Sequence, residues 1–148
     1  MTPSARRPFD LLIVEDNPGD VELTREALQE CAIPLRLWVA HDGIEALAFL
    51  RRTDAHADAP RPALVLLDLN LPRLDGRGVL AEVKGDAALR DIPIVVLTSS
   101  QAAADVRRVY GLQANCCVAK PVELDRYFAT VRAIAEFWLE TVQLPRDE

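Results

Sequence analysis

Short apolar runs alternate along the chain with segments whose apolar residues recur at helical spacing. Continuous apolar runs of this length are typical of strands buried on both faces of a sheet. The predicted strands are 11–14, 35–40, 63–67, 92–97 and 116–119. The predicted helices are 18–30, 43–50, 76–84, 102–110 and a last helix from Pro121. Such alternation predicts an α/β fold with a parallel sheet, helices on both faces and right-handed crossovers.

The last helix carries the longest apolar stripe of the sequence. Pro121 suits a first helical position, and the helical spacing holds from Leu124 to Val142. With 148 residues the chain is long enough for one domain with a full core. We therefore expect residues 1–8 to be an N-terminal tail, and residues 9–148 to form a single domain with an extended last helix and a short C-terminal tail.

Charge and composition exclude several classes of function. The chain has 17 Lys and Arg against 23 Asp and Glu, a net charge of −6, which argues against binding to nucleic acid phosphates. No apolar run is long enough to predict a membrane span, and no secretion signal is expected at the start. Three cysteines, two of them adjacent at 116 and 117, predict free thiols in a cytoplasmic protein.

Polar side chains follow four of the predicted strands. Glu15 and Asp16 follow the first strand, and Asp68 follows the third. Thr98 follows the fourth strand and Lys120 the fifth. Because the carboxyl ends of parallel strands lie at one edge of the sheet, these groups are expected to converge there. Clustered carboxylates suit Mg²⁺, and with an ammonium and a hydroxyl they predict a phosphoryl-accepting site.

Each of these residues also has a simpler interpretation. Asp16 could cap the following helix, and Asp68 could form a turn. Thr98 could cap the next helix, and Lys120 could be a solvated surface charge. The functional interpretation depends on their joint placement at strand ends.

Four motifs give the chain a family resemblance. The stretches LLIVEDNPGD, VLLDLNLPRLDG, IPIVVLTSS and VAKP resemble, in order and spacing, the receiver domain of two-component response regulators. The resemblance extends over residues 9–138. It implies a flavodoxin-like fold with strand order 2-1-3-4-5, and a phosphoacceptor signalling protein that receives a phosphoryl group from a histidine kinase and assists its own dephosphorylation.

The resemblance also implies a role for each site residue. Asp68 would be the phosphoacceptor. Mg²⁺, or Mn²⁺, would be held by Glu15, Asp16, Asp68 and the Asn70 carbonyl. Thr98 and Lys120 would stabilise the attached phosphoryl group.

Four further positions follow from the same resemblance. The Lys120–Pro121 bond is expected to be cis, and Asn70 and Ser100 are expected to tune the lifetime of the phosphoryl group. The family usually has an aromatic switch residue three positions before the lysine, where this chain has Cys117. A thiol is too small to fill the same cavity, and Tyr110 is not an obvious substitute. A switch is therefore expected to work through movement of the loop around Thr98 and the neighbouring helix.

The two ends of the chain resemble a narrower group. VEDNPGDVELTREAL and the segment from ANCCVAKP to ETVQLP are similar to the single-domain regulators that serve bacterial phytochromes. This resemblance implies a phytochrome-type kinase as donor and a homodimer formed through the last helix. The candidate dimer face is Phe137, Trp138, Leu139 and Val142. Burial of Trp138 against the sheet is an equal alternative.

No DNA-binding helix pair or second catalytic motif is evident, so the signal is expected to pass by protein contact. One rival is a receiver-like interaction module that is never phosphorylated, against which the full set of site residues argues. A second is a Mg²⁺-dependent phosphatase of the haloacid dehalogenase type, which places its nucleophile after the first strand rather than the third. A third is a flavodoxin-like FMN domain, whose phosphate loop would not carry the acids found here.

Overall fold

The computed structural model describes residues 8–99 and 102–145, which form a five-stranded parallel sheet in the order β2-β1-β3-β4-β5. The strands are β1 Phe9–Val14, β2 Leu35–Ala40, β3 Leu64–Leu67, β4 Ile94–Thr98 and β5 Cys116–Ala119. The fold class and the strand order are those predicted. The predicted N-terminal tail falls almost wholly in residues 1–7, outside the described residues.

Helices cover both faces of this sheet. They are α1 Pro18–Gln29, α2 Gly43–Arg51, α3 Gly76–Lys84, α4 Ala103–Gly111 and α5 Leu124–Glu136. One apolar core packs residues of α2, α3 and α4 on one face, and a second packs α1 and α5 on the other. Within the described ranges, no helix is long and apolar enough to span a membrane.

Side-chain caps define where three of the helices begin. Asn17 accepts hydrogen bonds from the backbone N–H groups of Gly19 and Asp20 at the start of α1. Asp42 and Asp75 cap α2 and α3 in the same way. Such caps satisfy N–H groups that have no partner within the helix. Because Asn17 caps α1, Asp16 is not needed for that purpose.

Two predictions about the start of the last helix were wrong. The helix α5 begins at Leu124, with Glu123 as its N-cap residue, and not at Pro121. The first helical hydrogen bond runs from Tyr127 N to Glu123 O, so the three residues before Glu123 lie between the sheet edge and the helix. The Lys120–Pro121 bond is trans, since no cis peptide bond occurs in the described residues. Trans is the lower-energy form of such a bond. With this bond in trans, the Lys120 side chain lies at the sheet edge beside Glu15.

The helical geometry of the chain changes after α5, within the apolar stripe of the last helix. Phe137–Thr141 form a π-helical turn, closed by a hydrogen bond from Val142 N to Phe137 O. The wider turn makes Leu139 the buried residue, 3% exposed, and leaves Trp138 only partly buried against the same core. Leu139 was therefore wrongly assigned to an exposed dimer face.

Gly76 allows α3 to pack against the loop that carries Asp68. A Cβ atom at Gly76 would lie 2.4 Å from the Asp68 carbonyl oxygen. We expect Gly76→Ala to lower the free energy of unfolding by about 1–3 kcal/mol, as overpacking does, in urea denaturation.

Gly111→Ala is the matched control, because a Cβ atom there would meet nothing within 4 Å. Its expected effect is neutral or stabilising by up to about 1 kcal/mol. Equal losses in the two variants would contradict the packing argument.

Candidate functional site

Three carboxylates meet at the carboxyl edge of the sheet. Glu15 and Asp16 follow β1, and Asp68 follows β3, which pairs directly with β1. The Asp68 N–H donates to the Val14 carbonyl oxygen at 3.1 Å. One oxygen of each of the three side chains lies within 4.8 Å of the others. The structure thus brings together the acids that the sequence predicted to converge.

Glu15 is the most buried of these acids, at 5% exposure. Burial, together with the nearby charge of Asp68, raises the pKa of Glu15 to about 7, although Lys120 opposes the shift. Its side chain accepts hydrogen bonds from Lys120 Nζ at 2.7 Å and from the Asn17 N–H at 3.3 Å. Without a bound cation, Glu15 is therefore protonated in only part of the molecules at neutral pH.

Lys120 is surrounded by three carboxylates. Its Nζ lies 2.7 Å from Glu15 Oε1, 2.9 Å from Asp20 Oδ2 and 3.8 Å from Asp68 Oδ2. Burial lowers the pKa of Lys120, but the hydrogen bonds to Glu15 and Asp20 outweigh it and raise the pKa above its ordinary value. The ammonium therefore stays charged beside Asp68.

Asp20 is the one residue of this cluster that the sequence interpretation missed. It lies in the first turn of α1, which begins at Pro18, shortly after β1 ends at Val14. Its sequence signal is limited to its spacing, an acid four residues after Asp16 in the first turn of a helix. Without the position of Lys120, that spacing is not distinguishable from a favourable acid in a first helical turn.

Thr98 ends β4 beside β5 and is almost fully buried, at 1% exposure. It stands opposite Ala119 in the strand register, and its carbonyl oxygen accepts from the Lys120 N–H at 2.8 Å. This contact joins the threonine and the lysine across the edge of the sheet.

Of the two residues predicted to tune the phosphoryl lifetime, Asn70 is exposed beside Asp68. Its N–H donates to Asp68 Oδ1 at 3.3 Å. Ser100 lies outside the described residues.

The position of the expected aromatic switch lies on the edge strand β5. Cys116 packs against the core under α1 and α5, and Cys117 against the core under α2, α3 and α4. The hydroxyl of Tyr110 accepts a hydrogen bond from the Cys117 N–H at 3.2 Å. An aromatic ring of α4 is therefore attached to the strand at this position.

The donor chemistry of the site fits a hard divalent cation. Glu15, Asp16 and Asp68 offer carboxylate oxygens within 4.8 Å of one another, and Mg²⁺ and Mn²⁺ prefer oxygen ligands. Lys120 pairs with two of these acids, Glu15 and Asp68, and a cation there would relieve the repulsion that remains among the three.

The comparisons with known proteins agree with this geometry. Residues 11–132 match the family model of the response regulator receiver domain. The chain is 44% identical over 145 residues to the response regulator Rcp1 of Synechocystis sp., covering 98% of this chain and 99% of that protein.

Two solved structures are similar over nearly the whole chain. One is the phosphorylated cyanobacterial phytochrome response regulator RcpA, at 44% identity and a TM-score of 0.91, covering 95% of this chain and 100% of that one. The other is the Mn²⁺-bound form of Rcp1, at 45% identity and a TM-score of 0.90, covering 94% and 100%.

The raised pKa of Glu15 predicts a pH dependence of stability in metal-free protein. The unfolded chain releases this proton near pH 4.5, whereas the folded protein retains it to about pH 7. The contribution to the free energy of unfolding is thus complete below pH 4.5 and is lost as the pH rises through 7.

We expect wild type to lose on the order of 1–3 kcal/mol relative to Glu15→Gln across this window, since one unit of pKa is worth about 1.4 kcal/mol. Urea denaturation in EDTA at several pH values measures the difference. All other titrating groups are common to both proteins. A difference that is flat, or that grows in favour of wild type with pH, would contradict the assignment.

Proposed function

The chain belongs to the response regulator receiver family, and from that membership we propose that Asp68 accepts a phosphoryl group from a histidine kinase in a cation-dependent reaction. The observation that carries the proposal is the convergence of Glu15, Asp16 and Asp68 within 4.8 Å, with Lys120 Nζ 3.8 Å from Asp68 Oδ2. This combination of anions and a partly buried cation is suited to hold a phosphoryl group.

In the proposed reaction an Asp68 carboxylate oxygen forms a bond to phosphorus as the bond from phosphorus to the kinase histidine breaks. The electron pair of the broken bond stays on the imidazole nitrogen. Glu15, Asp16, Asp68 and the Asn70 carbonyl would hold Mg²⁺ or Mn²⁺, which when bound neutralises charge on the transferring group. Lys120 supplies a second positive charge, and the Thr98 hydroxyl a hydrogen bond. Catalysis by these residues is positioning and charge neutralisation.

Loss of the phosphoryl group would follow by attack of water on the acyl phosphate. The proposed modulators of that water are Asn70, which is exposed beside Asp68, and Ser100. Both are small and polar, so neither shields phosphorus as a bulky apolar side chain would. We propose that the protein assists its own dephosphorylation in this way.

The proposed phosphoryl donor is a phytochrome-type histidine kinase. Support comes from the similarity to Rcp1 and to RcpA, the second of which is a phytochrome response regulator by name. We also propose a cytoplasmic location, because all three cysteines are free thiols, a state that a reducing compartment maintains.

We propose a homodimer that uses the surface around Phe137. Phe137 is 52% exposed, and its ring meets the Trp138 ring edge-on at a centroid distance of 5.7 Å. Partly buried Trp138 and Val142 extend this surface. Exposed aromatic patches of this kind often mark protein contacts. Phosphorylation would act on the partner contacts of this signalling protein through local charge.

The chemistry is tested by the intact mass after incubation with acetyl phosphate, with and without Mg²⁺. Wild type is expected to gain one phosphoryl group in Mg²⁺, and Asp68→Asn none, because the amide lacks the nucleophilic oxygen. Asp58→Asn, at an exposed position away from the sheet edge, is the matched control and should be labelled like wild type.

Labelling of Asp68→Asn at the wild-type level would refute the assignment of the acceptor. Folded, Mg²⁺-binding protein that takes no phosphoryl group would favour an interaction module that is never phosphorylated.

The dimer is tested by light scattering after size exclusion over a range of concentrations. Phe137→Ser is expected to weaken association by about tenfold to a hundredfold, as loss of a central aromatic contact does. Ile44→Ser, which removes a similarly exposed apolar side chain (43%) on α2, should leave association unchanged. Equal behaviour of the two variants would place any dimer contact elsewhere.

A further inference from the structure

Asp20 does not belong to the carboxylate triad of Glu15, Asp16 and Asp68, yet it contacts Lys120 more closely than Asp68 does. Its Oδ2 is 2.9 Å from Lys120 Nζ, against 3.8 Å for Asp68 Oδ2. We propose that Asp20 is a positioning residue that competes with the phosphoryl group on Asp68 for the Lys120 ammonium. In this role, which rests on the proposed function, Asp20 lowers the stability of the phosphorylated state.

The backbone around Asp20 is fixed from two directions. Its N–H donates to the Asn17 side chain at 3.2 Å, and its carbonyl oxygen accepts from Thr24 Oγ1 at 2.8 Å. The same Thr24 hydroxyl lies 2.9 Å from the Tyr127 hydroxyl of α5, in the buried interface of the two helices. The Asp20 carboxylate therefore extends to Lys120 from a rigid helix turn.

The charges around Lys120 determine which state the competition between Asp20 and the phosphoryl group disfavours. An ammonium has three donor protons, and Glu15 and Asp20 already occupy two of them. A cation bound by the triad would interact with the Glu15 carboxylate and weaken its pairing with Lys120. Asp20 would then be the remaining carboxylate within 3 Å of the Lys120 ammonium. A phosphoryl group on Asp68 carries a charge of about −1.5 to −2, where the free carboxylate carried −1, so the negative charge beside Lys120 increases. Asp20 would then compete for Lys120 and would also repel the new charge, and both effects disfavour the phosphorylated state.

The Asn variant at this position separates charge from geometry. Asp20→Asn keeps an oxygen acceptor at the same place, so it can still orient Lys120, but it removes the negative charge. A role limited to orientation predicts no gain from this change, whereas competition predicts that the phosphorylated state becomes more stable.

The test measures the affinity of the full chain for beryllofluoride, a phosphoryl analogue, in Mg²⁺ by titration calorimetry. Asp20→Asn is expected to bind about threefold to tenfold more tightly than wild type, the range for one partly buried ion pair. The matched control is Glu22→Gln, an exposed acid on the same helix that pairs with Arg25 rather than Lys120. It makes the same change in net charge and should alter the affinity less than about twofold.

A double-mutant cycle identifies the route of the effect. If Asp20 acts mainly through the ammonium, the gain from Asp20→Asn shrinks in the Lys120→Gln background to the part that direct repulsion supplies. Thermal melts of each variant confirm that it is folded.

The outcomes separate the two proposals. Wild-type binding with no gain in Asp20→Asn, or the same gain without the lysine, would overturn the role of Asp20 alone. Wild type that binds no beryllofluoride in Mg²⁺ would overturn the proposed function and this role together.

Discussion

Repulsion among carboxylates at one edge of the sheet is the constraint on which the site depends. Parallel pairing of β1 with β3 forces Glu15, Asp16 and Asp68 together. The partly buried ammonium of Lys120 offsets part of their charge, and burial raises the pKa of Glu15 to about 7. The cluster remains short of positive charge after this compensation. A divalent cation would offset that deficit, which the proposed phosphoryl group would otherwise increase.

Helix α1 connects this site with the C-terminal part of the chain. Its first turn presents Asp20 to Lys120, and Thr24 contacts Tyr127 of α5 one turn later. Glu30, just after the helix, pairs with Arg132 further along α5. The proposed dimer surface begins one residue after α5. A single rigid helix therefore contacts both the charged edge and the element that leads to that surface.

Local pattern was enough to predict the strands and the convergence of the acids, because buried parallel strands and their ends have strong signals. The order of the strands was predicted from the family resemblance. Other features depend on contacts that no local pattern contains. The ion pair of Asp20 requires the position of Lys120, and the π-helical turn that buries Leu139 depends on packing against the sheet. The trans bond before Pro121 was missed because the family expectation was transferred without a local physical reason.

The hydrogen bond from the Cys117 N–H to the Tyr110 hydroxyl has a consequence for solubility. The strand β5 is at the border of the sheet, where N–H groups without a ladder partner are a template for pairing with a strand of another chain. Tyr110 occupies one of these groups at 3.2 Å, and its ring stands beside the strand. The side chain that joins α4 to the sheet thus also obstructs edge-to-edge association between molecules.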